Sequence, residues 1–424
     1  MADRITTNEQ AGRRGTIPDS EAVETAVPEI NLADPELLRD PFTAYGRLRE
    51  RSSVARTQIP GIGHVWVVMR YDTAKAMLSD PRFEIRSDSF LRPDVPEHCR
   101  PYLRTMAEMN GAEHARLRKL VAPAFTPRRA AAFRPRIERL VTALLDDLPR
   151  YVTGGTVDLL EHFARPLPID VICELVGIPE ADRPRWREYG AHVATGYGKG
   201  FADSVPRIIE GAKAAVASRR EDPCDDLLSD LIRIHDEHGD RLSDTELVTL
   251  VWHLVLAGQT PANLIANAVE FLLSRPELLA AIRSEPDLLP RAVEELMRWC
   301  GPQPLTIPRY AREDVDLEGV RIGRGEPVIA ALVAANRDPR AFDDPESFDL
   351  HRGADGARRA NAHIGFGHGP HFCLGASVAR IQTEVALHGL LRRYPHLALA
   401  VSPAEIQRVP DPGTWRLASL PVTL

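Results

Sequence analysis

The chain has 424 residues, is 44% hydrophobic and 27% charged, and carries a formal net charge of −7 at pH 7. This composition supplies a sizeable core and gives no general attraction to nucleic acid or anionic lipid. Five scattered cysteines, Cys99, Cys173, Cys224, Cys300 and Cys373, argue against a disulfide framework and for a reducing compartment, the cytoplasm. Residues 1 to 30 are polar, broken by Pro18 and Pro28, and hold no apolar stretch for a signal peptide or membrane anchor, so they read as a disordered tail. With no glycine- or serine-rich linker after it, residues 31–424 read as one large domain.

In chain order, Pro41 to Arg51 reads as a helix, His64 to Arg70 as a strand and Tyr71 to Leu78 as a helix. Long helical periods follow at about 112–123, 128–150, 168–177, 205–220, 224–237, 243–273, 276–283 and 288–300. Between Pro302 and Ala335 the pattern shifts to short alternating runs, read as hairpins of a small sheet, and Ala334 to Pro339 reads as a further hairpin. A last helix runs from Ala376 to Leu391. The expected class is therefore mainly α with small β-sheets.

The helix from about Asp244 to Leu273 carries an apolar stripe through Leu247, Leu250, Val251, Leu254, Gly258, Ala262, Ile265 and Val269. Inside it lies Ala257-Gly258-Gln259-Thr260-Pro261. Pro261 has no N–H and clashes with the carbonyl four residues back, which predicts a kink and a freed Ala257 carbonyl beside Gly258. Further on, Glu295 and Arg298 stand three apart on one helical face, which by itself describes a surface ion pair.

The most informative segment is Phe366-Gly367-His368-Gly369-Pro370-His371-Phe372-Cys373-Leu374-Gly375, a glycine-punctuated loop that runs into a helix. A cysteine there feels the positive end of the helix dipole, which favours the metal-binding thiolate. Glycines 367, 369 and 375 let the backbone turn N–H groups toward the sulfur. Two other readings are a buried structural cysteine and a zinc cluster of His363, His368, His371 and Cys373, although no second zinc knuckle is visible.

This loop resembles the haem-binding signature of the cytochrome P450 family at all six specified positions: Phe366, Gly367, Gly369, His371, Cys373 and Gly375. The resemblance covers roughly residues 35 to 424. It implies the cytochrome P450 fold, a triangular helix-rich prism around one haem b with Cys373 as axial ligand of the iron. It further implies that His114 and Arg118 contact one propionate and Arg309 the other, that His371 fills the His/Arg position of the loop, and that Arg352 completes a buried structural triad with Glu295 and Arg298. The family's long helix crosses the distal haem face at Ala-Gly-x-acid-Thr. With or without a one-residue gap, Ala257 to Pro261 aligns there without the acid. Thr260 and Gln259, with ordered water or a polar group of the substrate, are the expected proton carriers beside Ala257 and Gly258; the alternative is that Thr260 only bonds a backbone carbonyl.

The resemblance also implies a soluble bacterial, actinobacterial-type monooxygenase that hydroxylates a hydrophobic small molecule with dioxygen, in secondary-metabolite tailoring. The chain has no flavin or nicotinamide fingerprint, so electrons are expected from a ferredoxin and its reductase, with Arg104, Arg116 and Lys119 as docking candidates. His98 to Met109, Tyr189 to Val205, Leu254 to Thr260, Pro302 to Ile307 and Gly413 to Trp415 are expected to line the substrate pocket. Two other outcomes are oxidative C–C or C–N coupling of an aromatic peptide or diketopiperazine, and a haem-binding sensor without turnover.

Overall fold

The computed structural model describes residues 27–90, 94–194, 199–237, 242–352 and 363–424. The first 26 residues of the expected tail, and parts of the Tyr189 to Val205 segment, lie outside them. The tail ends earlier than expected: Glu29–Ile30 is a strand paired in parallel with Arg56 and Thr57. The Thr57 hydroxyl donates to the Ile30 carbonyl at 2.8 Å. Only this long-range partner makes a strand of two residues.

A six-stranded mixed sheet runs in the order Glu29–Ile30, Val54–Ile59, Gly63–Val68, Pro327–Ala330, Arg309–Ala311, Phe83–Glu84. Its centre is the hairpin that pairs Val54 with Val68, extended in parallel by Trp66 opposite Val328 and then antiparallel by Arg309 opposite Val328. Arg309 is thus held by a β-ladder next to the Tyr71–Ser79 helix, and it donates to the Leu78 carbonyl at 2.6 Å. The reading of 302–335 as hairpins fails at its end, where Leu332–Ala335 is a short helix and the supposed Ala334 to Pro339 hairpin continues as a helical turn. A short apolar run that is buried all round carries no period by which strand and helix can be told apart.

Helices form the rest. Pro127–Asp147 and Ala376–Arg393 lie side by side, close enough that a Cβ on Gly389 would sit 2.7 Å from Val141 Cγ1. The Tyr394 hydroxyl donates to the Leu145 carbonyl at 2.6 Å and ties the far end of the pair. This packing fixes the helix whose N-terminus follows Cys373. The expected single helix from Asp244 to Leu273 is two, Asp244–Ala257 and Pro261–Leu273, separated by a turn at Gly258, Gln259 and Thr260. Pro261 does not kink a helix; it opens one, at a first-turn position where its missing N–H has no partner to lose. Among the described residues no helix is long and apolar enough to cross a membrane.

Candidate active site

The Leu289–Cys300 helix is apolar on the face that packs inward, and Glu295 and Arg298 lie on that face rather than at the surface. Arg298 donates to both Glu295 carboxylate oxygens at 2.7 and 2.8 Å, and Arg352 Nε donates to the same pair at 3.0 and 3.1 Å. Their remaining N–H groups cap carbonyls of the following loop: Arg298 binds Asn336, Pro345 and Ser347, and Arg352 binds Asp343, Asp344 and Ser347. One carboxylate therefore holds two guanidinium groups that staple the loop leading to the cysteine. A second network, missed in the sequence, lies beside it: Glu294 accepts from Arg380 and meets His363 Nε2 at 3.1 Å. His363 Nδ1 accepts the Gly365 N–H at 3.2 Å. Both ring nitrogens of His363 are thus engaged, and among the described residues no three His, Cys, Asp or Glu side chains converge as the zinc reading requires.

In the cysteine loop, Gly367 and Gly369 take φ of 74° and 71°, which a side chain rarely adopts. A Cβ on Gly369 would also meet the Leu78 carbonyl at 2.6 Å. The Cys373 N–H donates to the Phe366 carbonyl at 2.8 Å and closes the loop over Phe366. Cys373 itself is exposed along the open side of the loop, yet its sulfur is enclosed enough that burial pushes the thiol pKa up. The Gly375 N–H, Arg118 and Arg380 pull it down but do not prevail. Burial is thus a larger influence on this thiol than the expected helix dipole, and a coordinated metal would deprotonate it.

Facing the loop, His114 is buried and its ring stacks on His371 at a centroid distance of 4.2 Å. Arg118 donates to the Phe372 carbonyl at 2.6 Å. Burial, followed by the charges of neighbouring cations, lowers the pKa of His114 and holds His371 at about 3. Burial alone brings Arg309 to about 10. Among the described residues no carboxylate pairs with any of the four. Such uncompensated positive potential beside a metal-type thiol fits a metal macrocycle carrying two acidic arms.

At the helix break the Thr260 hydroxyl donates to the freed Ala257 carbonyl at 3.2 Å, and Ala257 is exposed. Gly258 is required by contact: a Cβ there would lie 2.7 Å from Ile172. Gln259 reaches the helix Arg183–Ala194, with Oε1 3.0 Å from a Cβ built on Gly190. No carboxylate bonds the Thr260 hydroxyl or the Gln259 amide among the described residues.

A cleft of about 1290 Å³ lies against this break. Each expected segment contributes: Leu103 and Glu108, Gly190 and Ala191, Gln259 and Thr260, Gln303 and Ile307, Gly413 and Thr414. The lining does not reach Cys373 or its basic neighbours. It includes residues the sequence reading missed, among them Trp252, His253 and the Asp170–Arg187 ion pair. His253 could have been found, because it lies about one helical turn before Ala257. Of the ferredoxin candidates, Arg104 pairs with Glu113 and Arg116 with Glu246.

Residues 194–408 match the family model described as Cytochrome P450. The cytochrome P450 monooxygenase PikC of Streptomyces venezuelae is 39% identical, with 93% of each chain covered. The mycinamicin IV hydroxylase/epoxidase of Micromonospora griseorubida is 40% identical over 86% of this chain and 90% of that one. Among solved structures, the cytochrome P450 PksS from the Bacillus subtilis bacillaene polyketide synthase superimposes with a TM-score of 0.83 at 32% identity, covering 93% of this chain and 99% of that one. At such identity over almost its whole length, the chain belongs to the cytochrome P450 family and is an oxidoreductase of that kind, with haem b as its cofactor.

Proposed function

We propose that the protein hydroxylates an oxygen-bearing macrocyclic or polycyclic secondary metabolite, with electrons from a ferredoxin and its reductase. The observation that carries this reading is a stapled cysteine loop with its unpaired basic cluster in the same chain as a large cleft lined by Gln259 and Thr260. The names of the relatives, which include a monooxygenase and a mycinamicin hydroxylase, support the substrate class.

Haem bound through Cys373 supplies dioxygen activation, and the chain supplies the environment. His114, Arg118, Arg309 and His371 hold the two propionates, whose charge satisfies the excess positive potential. Phe366, Gly367 and Gly375 shape the loop so that the Gly375 N–H moderates the charge on sulfur. Thr260, its hydroxyl hydrogen committed to the Ala257 carbonyl, keeps its oxygen free to accept from a water in the cleft. Gln259 adds an amide in place of the acid. Glu295, Arg298 and Arg352 touch no reacting atom and act by keeping the loop in place.

The first test is the absorption spectrum of the reduced, carbon monoxide-bound protein. A Soret maximum at about 450 nm is expected for thiolate ligation, and one at about 420 nm in undamaged protein defeats the axial role of Cys373. A second reading, oxidative coupling, is favoured by the lack of a carboxylate bonded at the helix break among the described residues. Product mass separates the two, since hydroxylation adds one oxygen atom whereas coupling removes two hydrogens.

A further inference from the structure

His253 stands four residues before Ala257 in the Asp244–Ala257 helix, so both share one face with an axial separation of about 6 Å. The helix cannot roll freely at this turn: the Trp252 indole N–H and the Thr249 hydroxyl both donate to the Tyr102 carbonyl, at 3.2 and 3.3 Å. His253 lines the cleft. Its Nδ1 is enclosed without any hydrogen-bond partner, and no bond to Nε2 exists among the described residues, although that atom is left reachable. A buried polar group without a partner is destabilising and calls for an explanation. Among the described residues no charged group acts on the ring, and burial alone holds it at about 4, so the imidazole is neutral and carries one proton. An enclosed N–H without an acceptor is rarer than an enclosed lone pair, which places that proton on Nε2, toward the cleft.

We propose that His253 is a positioning residue whose Nε2–H donates to a neutral oxygen of the substrate, a ketone, lactone or ether, and thereby selects oxygen-bearing substrates over hydrocarbons of the same size. The proposal rests on the haem-thiolate reading for what happens next to Ala257, but not for the binding step. A ligand held by His253 is anchored about one helical turn from the Ala257 to Thr260 break, which fixes the carbons presented there. Trp252 and the apolar walls then supply affinity, and His253 supplies orientation.

The test is calorimetric titration of the holoenzyme with cyclooctanone and cyclooctane, which match in size and differ by one carbonyl. Wild-type protein is expected to bind the ketone about five- to tenfold more tightly, the worth of one hydrogen bond. In His253→Phe the two affinities fall within about twofold of each other, and in His253→Asn, whose amide keeps an N–H, part of the preference returns. Because phenylalanine removes the unpartnered nitrogen, the unfolding midpoint of His253→Phe is expected not to drop; a merely structural histidine lowers it. A ketone preference that survives in His253→Phe, or its absence from the wild type, overturns the proposal. The carbon monoxide spectrum of the same preparations reports separately on thiolate ligation, so each idea fails by its own measurement.

Discussion

Replacing Glu295 by glutamine removes the one charge on which the loop staple depends. The Glu295 carboxylate accepts four contacts from Arg298 and Arg352 and a fifth from the Asp349 N–H at 3.1 Å. Side-chain exposure is 4% for Glu295, 1% for Arg298 and 18% for Arg352, so little water can replace what is lost. Glutamine keeps one acceptor oxygen, but its amino group meets a guanidinium donor to donor. Removing one partner of a buried pair costs about 3–5 kcal/mol, and because Arg298 retains three carbonyl acceptors the low end, about 3 kcal/mol, is expected. That is a large part of a net stability of about 5–15 kcal/mol. The assay is guanidinium chloride unfolding of the holoenzyme followed by tryptophan fluorescence, for Glu295→Gln, Arg352→Gln and the double variant. Coupling of at least about 1 kcal/mol is expected between the two positions, since both substitutions break the same contact. The fraction of Glu295→Gln that retains haem should keep its carbon monoxide band, because the triad does not touch the sulfur. A cost below about 1 kcal/mol, or costs that simply add, would refute the staple.

Gly258→Ala forces a Cβ to 2.7 Å from Ile172 Cβ and Cγ1, atoms close to the backbone that cannot swing away, so a loss of about 1–3 kcal/mol is expected. Its backbone (φ −67°, ψ −11°) accepts alanine, so the loss is one of contact alone, and an unchanged unfolding midpoint for Gly258→Ala would refute it. The pKa of His371 is about 3 in the folded chain against the ordinary 6.5, so the unfolded state takes up the proton first and stability falls as pH drops through 6.5. By pH 5 this one group costs about 2 kcal/mol, and the dependence should be steeper in haem-free protein than in holoenzyme, where propionates offset the charge; equal slopes in acid denaturation contradict the propionate assignment. Thr260→Ala should lower the yield of product per electron by roughly tenfold while substrate binding stays within about twofold. Unchanged coupling leaves Thr260 with only its bond to the Ala257 carbonyl.

What the sequence revealed and what it hid follow from the range of the interactions concerned. Glu295 and Arg298 are legible as neighbours because helical spacing is local, but nothing local indicates that Arg352, 54 residues beyond Arg298, joins them or that the set is buried. Resemblance to the family supplied that, as it supplied the meeting of His114, Arg118, Arg309 and His371. That the predicted Pro261 kink is a full break between two helices went unseen for a different reason. Gly258 and Thr260 both keep right-handed helical dihedrals, and a three-residue turn advances the chain by nearly one helical turn, so the apolar stripe from Leu254 through Gly258 to Ala262 stays in phase across it. Periodicity reports which face is buried, not whether the hydrogen-bond ladder is continuous. The ladder is where Pro261 acts: by opening a new helix it leaves the Ala257 carbonyl to the Thr260 hydroxyl, and it turns Gln259 toward Gly190 on the helix above. At the break this chain presents Thr260 and Gln259, with the neutral His253 imidazole one turn before them, while the Asp170–Arg187 ion pair also lines the cleft. Neutral donors and acceptors around an exposed Ala257 suit an uncharged, oxygen-bearing part of a substrate, since an ionised group placed at the break itself would face a desolvation cost.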